Sequence, residues 1–196
     1  MTGERSGQRI AVLDTETNWE GALMSVGAVV AEEGLLLPAD HVYYALPEEC
    51  AVGGLYEDAL DLGGDLTPEW TARECAVGRL AAFLRGHGVT EIFAYNAAFD
   101  RRLLPELAGW RWYDIMRVAP YRRYNPYITD RDACGGTGRL KRYGVESVLR
   151  LMTGSADYRE KHNALADAAD ELTIMRLLGA ELSLYRAEAA LTPLPL

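Results

Sequence analysis

Hydrophobic and polar residues change their spacing several times along the chain, and each spacing predicts an element. The segment QRIAVLDTET, Gln8 to Thr17, holds an unbroken apolar run from Ile10 to Leu13 that stops at polar residues, the pattern of a buried strand. A second such run spans about Leu23 to Ala31 and closes at Glu33-Gly34, and a third, DHVYYALP, ends at Pro47. Three strands with short connections suggest an antiparallel meander. The acidic, glycine-rich stretch EECAVGGLYEDALDLGGD that follows has no periodicity and predicts no regular element.

A helix is expected next. In LTPEWTARECAVGRLAAFLRG, Thr67 suits an N-cap, Pro68 the first helical position and Gly86 the stop, while Trp70, Val77, Leu80, Ala81 and Leu84 form an apolar stripe. Ile92 to Tyr95 reads as a short strand, AAFDRRLLPELAG as helical from about Asp100, and WRWYDIM as a fifth strand. The aromatic and basic stretch beyond is expected to be loop with irregular helix, VESVLRLM a short helix and Ala164 to Leu178 a long one, with a frayed Leu194-Pro195-Leu196 end. Strands first, then alternating helices and strands, make the fold class α/β: a mixed five-stranded sheet, three antiparallel strands and then parallel ones, flanked by helices. Active residues in such sheets gather at strand ends near the switch in strand order.

Composition narrows the class further. The 196 residues fit one domain, with no low-complexity linker and no internal repeat, and 49% hydrophobic with 25% charged residues is ordinary for a globular protein. No early apolar run suggests a signal peptide and no segment approaches a membrane span, so the expected location is cytoplasmic and no membrane partner is expected. Cys50, Cys75 and Cys134 are odd in number and widely spaced, matching neither a disulfide framework nor a zinc site. The net charge of −9 argues against coating DNA by bulk electrostatics. Its distribution is uneven, however: Arg117 to Tyr143 carries seven basic residues against two acids, which suits phosphate contact or a solvated loop.

Several acids break the apolar patterns. If the last long helix starts after Asn163, then Ala164, Ala168, Leu172 and Met175 share one face, and Asp167 falls on its flank, between Ile174 and Leu178. A charge buried there is costly unless it is paired or binds a metal. Glu171 also lies near that face. Asp14 and Glu16, two apart, end the first strand on one face and can share a ligand. Asp100 follows the fourth strand and equally suits an N-cap. His162 precedes Asp167 by five residues and, taken alone, suits a surface or capping role as well as catalysis. No G-x-x-x-x-G-K-[ST] loop occurs, which argues against a nucleotide switch.

Taken in order, LDTET followed by MSVGAVV, then YNAAFDRRLL, then HNALADAADE preceded by GVESVLRLM, the chain resembles the DEDDh (DnaQ-like) family of 3′ to 5′ exonucleases, in the ribonuclease H-like superfamily. The resemblance runs from about Arg9 to Leu178 and includes the LTPEW helix start. It implies a ribonuclease H-like fold and one exonuclease domain over residues 1–196, with a catalytic core at about 9–178. It also implies metal-dependent removal of nucleoside monophosphates from the 3′ end of single-stranded nucleic acid. Asp14, Glu16, Asp100 and Asp167 would hold two Mg²⁺ or Mn²⁺ ions, consistent with all-oxygen ligation, and His162 would be the general base.

By the same resemblance Thr17, Trp19, Asn96 and Phe99 are candidates for sugar or base contacts, although Phe99 equally suits a core position. Arg122 and Arg123, with Tyr121, Tyr124 and Tyr127, would guide the strand by phosphate pairing and stacking. Two positions depart from the family: Tyr95 stands where many members have histidine, and Ser25 where many have an acid. DNA is expected ahead of RNA because NAAFD most resembles the polymerase-associated members, with RNA end processing as the alternative. Some members act as dimers and others as polymerase subunits, so a homodimer or a polymerase partner is among the expectations. A non-catalytic binding or scaffold module is the alternative of another class, and the presence of all four acids with the histidine argues against it.

Overall fold

Strand β1 (Arg9–Thr17) lies inside the sheet of the computed structural model, which describes residues 8–192. The Leu194-Pro195-Leu196 end expected to fray lies outside the described residues. β1 pairs antiparallel with β2 (Leu23–Glu32), which pairs antiparallel with β3 (Pro38–Ala45), giving the expected meander. On its other side β1 runs parallel to β5 (Glu91–Ala94), and β5 to β6 (Arg111–Asp114).

The sheet has six strands, not five, in the order β4-β3-β2-β1-β5-β6. The additional strand, β4 (Glu69–Trp70), lies parallel to the Tyr44–Ala45 end of β3, where a helix start was expected. Thr67 is extended, at φ −87° and ψ 122°, as a residue preceding proline tends to be. The extended chain then meets the open edge of β3 and pairs with it. The helix α2 starts only at Arg73 and runs to Gly86, and Thr67 does not cap it. Trp70 is 48% exposed and outside the stripe, whereas Val77, Leu80, Ala81 and Leu84 are buried as expected.

Alternation along β1 divides the core into two layers. Ile10 and Val12 pack with residues of α4 (Val145–Thr153), α5 (Ala164–Leu178) and α6 (Leu182–Glu188), while Ala11 and Leu13 pack with α2 on the opposite face. Asp14 and Glu16 continue the Ile10 side, so the strand turns from apolar to acidic beneath α5. Gly27, the β2 partner of Asp14, makes this approach possible. A Cβ there would lie 2.3 Å from the Leu165 nitrogen, so only glycine lets the start of α5 rest directly on the sheet.

The stretch that predicted no regular element contains one helical turn, α1 (Pro47–Cys50), and two 3₁₀ turns at Glu57–Ala59 and Gly64–Leu66. Helix α3 (Ala98–Leu103) starts two residues earlier than expected, after Ala97, which makes no side-chain cap. Asp100 therefore sits in the first turn and is not the N-cap. The three cysteines are free. Among the described residues no helix is long and apolar enough to cross a membrane.

Candidate active site

Three chain segments bring acids to one end of the sheet. Asp14 and Glu16 come from the end of β1. Asp100 comes from the first turn of α3, and its Oδ1 accepts a 2.7 Å hydrogen bond from the Thr15 hydroxyl in a buried contact. The turn between β5 and α3 is shaped by Asp114, whose Oδ1 accepts from the amides of Asn96 (2.9 Å) and Met116 (3.0 Å). Asn96 itself takes the left-handed conformation, φ 66°.

Asp167 arrives from α5. The helix is started by Asn163, fully buried, whose Oδ1 accepts from the Ala166 amide at 3.2 Å, a side-chain N-cap. The Nδ2 of the same residue donates to the carbonyls of Ala59 (2.7 Å) and Leu60 (3.2 Å) and to the Tyr43 hydroxyl (3.0 Å). His162, immediately before the cap, is also left-handed at φ 55°. Its ring stacks on Tyr56 with centroids 3.9 Å apart and planes 11° from parallel. Donor atoms of Glu16, His162 and Asp167 all lie within 4.8 Å of one another, a group able to hold a metal ion.

A fifth acid joins the four expected ones. Glu171, one helical turn beyond Asp167, is 2% exposed, and its Oε2 accepts from the Tyr95 amide at 2.9 Å. Burial raises the proton affinity of all five, and most feel one another as well. Asp14 is held well above the usual carboxylate range by burial and then by Glu171, Asp100, Glu16 and Asp167. Glu16 is pushed up to about 8 by burial, with Asp167, Glu160 and Asp100 adding to it. Asp167 likewise rises to about 8, through burial and then Glu160 and Asp170. Burial carries Asp100 to about 7 against the pull of the Thr15 hydrogen bond, and holds Glu171 well above its ordinary value with Asp100 as the next cause. Among the described residues, no lysine or arginine side chain is a leading neighbour of these five acids, Lys161 reaching Asp167 only through its backbone.

The cluster fits a hard divalent cation. Among the described residues its donors are carboxylate oxygens with one imidazole and no thiolate, and Asp167 Oδ1 is buried with no hydrogen-bond partner. Burial lowers the proton affinity of His162, with Glu146 pulling the other way.

The expected substrate contacts divide into two groups. Thr17 is half-buried at the end of β1. Trp19 is 66% exposed in the following turn, its amide donating to the Gly53 carbonyl at 3.0 Å. Asn96 is exposed, and Phe99 is half-buried, outside both core layers, with the Arg102 guanidinium 5.4 Å above its ring. Those four border the acids in sequence or turn. Arg122 and Arg123 have acidic partners of their own instead: Arg122 pairs with Asp130, and Arg123 reaches Glu188 at 3.6 Å while lying 4.4 Å over Tyr124.

Sequence patterns did not single out Asn163, Tyr56, Asp114 or Glu160, and noted Glu171 only as lying near the apolar face. Glu171 had a visible signal, because residues four apart share a helix face and Asp167 was already suspect. Asn163 was visible only as the residue before the helix, and its bonds to Ala59 and Leu60, like the stack of Tyr56 on His162, join segments distant in sequence.

No protein-family model matches the chain, and no curated protein matches it in sequence. Solved structures match in shape. Exonuclease I of E. coli in complex with a dA16 oligonucleotide superposes with a TM-score of 0.56 at 12% identity, over 92% of this chain and 42% of that one. A moderately thermophilic exonuclease I from Methylocaldum szegediense gives 0.57 at 15% identity, over 92% and 42%. The zinc ion bound form of the E. coli ExoI-ssDNA complex gives 0.54 at 12% identity, over 88% and 40%. The chain thus spans about two fifths of the length of the structures it matches. At these identities the likeness establishes the fold: the mixed sheet and helices are those of the ribonuclease H-like exonuclease fold, here with six strands.

Proposed function

We propose that this chain is a metal-dependent 3′ to 5′ exonuclease that hydrolyses the terminal phosphodiester of single-stranded nucleic acid, DNA foremost, and releases a nucleoside monophosphate. The observation that carries the proposal is the convergence of the four expected acids, joined by Glu171 and His162, without a protein cation among their leading neighbours. The fold is that of exonuclease I, and two of its matching structures are described as complexes with dA16 and with ssDNA. The whole chain, residues 1–196, would act as a single domain with its catalytic core at about 9–178.

Asp14, Glu16, Asp100 and Asp167 would hold two Mg²⁺ or Mn²⁺ ions. When bound, the ions supply the charge that offsets the carboxylates, activates water and stabilises the leaving 3′ oxygen. The protein supplies the rest. His162, its proton affinity lowered by burial, accepts the proton of the attacking water on its ring nitrogen. Thr15 holds the Asp100 carboxylate in one orientation, and Asn163 fixes the backbone from which His162 projects. Trp19 and Phe99 offer ring faces to the terminal base, Thr17 and Asn96 polar groups to its sugar. Arg122 and Arg123 would exchange Asp130 and Glu188 for phosphates further along the strand.

The test uses 5′-labelled DNA and RNA strands with free or blocked 3′ ends, in Mg²⁺, Mn²⁺ or chelator, beside Asp14→Ala and His162→Ala. The expected result is a metal-dependent ladder shortening only from the free 3′ end and absent in both variants. The faster strand reports the sugar preference. Absence of any shortening while metal is bound would overturn the proposal in favour of a binding module.

A further inference from the structure

We infer that Tyr56 is a positioning residue for His162, and that the acidic segment Glu48–Asp65 is a working wall of the active site. The inference rests on the exonuclease reading of that site. Four observations carry it.

The first is the stack itself. Centroids 3.9 Å apart and planes 11° from parallel mean face-to-face overlap, which fixes the plane of an imidazole that is otherwise on a loop. The second is backbone. His162 occupies the left-handed region at φ 55°, which disfavours a non-glycine residue, so surrounding contacts must hold it there. The third is the grip of Asn163, whose amide donates to the carbonyls of Ala59 and Leu60, three and four residues beyond Tyr56. The fourth lies at the other end of the segment. Asn18 Nδ2 donates to the Glu49 carbonyl at 3.1 Å, and the Trp19 amide to that of Gly53 at 3.0 Å. The segment is thus fastened both to the turn after β1 and to the start of α5, the two places that supply Glu16 and Asp167.

A base that takes a proton from water works only over a narrow range of position, and a misplacement of about 1 Å can cost about 10²-fold in rate. Tyr56 supplies a flat surface against which the ring stays oriented, and an aliphatic side chain would fill the space without setting the plane. The phenol also lies in the field of the site: burial first, then Glu16, Glu160 and Asp167, raises its proton affinity.

The test compares the wild-type chain with Tyr56→Phe, Tyr56→Leu and His162→Ala on a single-stranded DNA in Mg²⁺, and follows the His162 Cε1–H resonance by NMR in Mg²⁺ without DNA. In Tyr56→Leu, kcat is expected to fall about tenfold or more with KM within about twofold, and the resonance to move downfield as the ring current is lost. Tyr56→Phe, which keeps the stack, should restore both to near wild type. Tyr56→Met takes the place of Tyr56→Leu should the latter misfold. An unchanged or raised kcat once the resonance has moved overturns the inference, as does a resonance that never moves. A wild type that shortens no strand defeats the exonuclease reading by itself, and the resonance then still decides whether Tyr56 holds His162.

Discussion

Buried carboxylates occupy two regions of this sheet, and they are treated in opposite ways. Glu91, at the start of β5, is fully buried beneath Arg186, whose Nη2 lies 2.8 Å from its Oε2, with Arg111 at 3.1 Å and the Tyr113 hydroxyl donating at 3.1 Å. Arg186 also reaches Glu33 at 3.0 Å. Burial alone would raise Glu91, but the bonds and charge of Arg186 outweigh it and hold the carboxyl below its ordinary range. Beyond the other end of β5, Asp14, Glu16, Asp100, Asp167 and Glu171 are all raised, with other acids as their principal charged neighbours. Burial is common to both regions, so burial does not distinguish a structural acid from a functional one. What distinguishes them is the charge of the neighbours: arginines surround the acid at one end, and other acids surround those at the other.

The sharpest way to break this comparison is to remove one charge from each region. Asp167→Asn is expected to lower nuclease activity by about 10³-fold or more while raising the metal-free melting temperature at pH 8, because a repelled charge is gone. Glu91→Gln should do the reverse. Activity per folded molecule stays near wild type, while stability falls by about 1–3 kcal/mol, a range discounted for the one-third exposure of Arg186. If both substitutions destabilised the metal-free protein, the two regions would not differ as described.

The next test is pH. Glu16 and Asp167 move from ordinary values of 4.5 and 3.8 up to about 8 in the fold. Between those limits the folded, metal-free protein retains protons that the unfolded chain has released, so stability is lost as pH rises from about 4 through about 8. Thermal melts in chelator should therefore show a lower midpoint at pH 8 than at pH 5. Saturating Mg²⁺ or Mn²⁺ should reverse the loss at pH 8, by about 2.7 kcal/mol for each site at a hundredfold excess over Kd. A flat profile in chelator would mean that the acids find a cation within the chain.

The smallest effect is expected outside both charge sets. Trp19→Ala removes an exposed ring and should leave the melting temperature unchanged while raising KM about tenfold, in line with the 1–3 kcal/mol of a stacked base. An unaltered KM would take Trp19 out of the substrate contacts.

Local signals made much of this legible in the sequence. Helix α5 has the predicted limits because Asn163 caps it and Gly179, left-handed at φ 62°, ends it. Asp14 and Glu16 stood out because they interrupt an apolar strand. Where the sequence misled, a longer-range contact won. Thr67 and Pro68 carry a helix-start signal, yet the open edge of β3 takes Glu69 and Trp70 into the sheet. Asp100 suits an N-cap, but its bond to Thr15 and its place in the first turn assign it to the acid cluster. Tyr56 had no local signature at all, being read only through a ring more than a hundred residues away, and the local cap at Asn163 gave no sign of its bonds to carbonyls equally distant.

Gly27 sets how closely the acids of strand and helix can meet. The gap between an acid on a strand and an acid on a helix depends first on the separation of the two layers. At Gly27 the gap is closed to backbone contact. A single methyl at position 27 would wedge the layers apart and carry Asp167 away from Asp14 and Glu16 without altering any acid. The spacing of the acid cluster in this scaffold is thus governed by a residue that carries no charge at all.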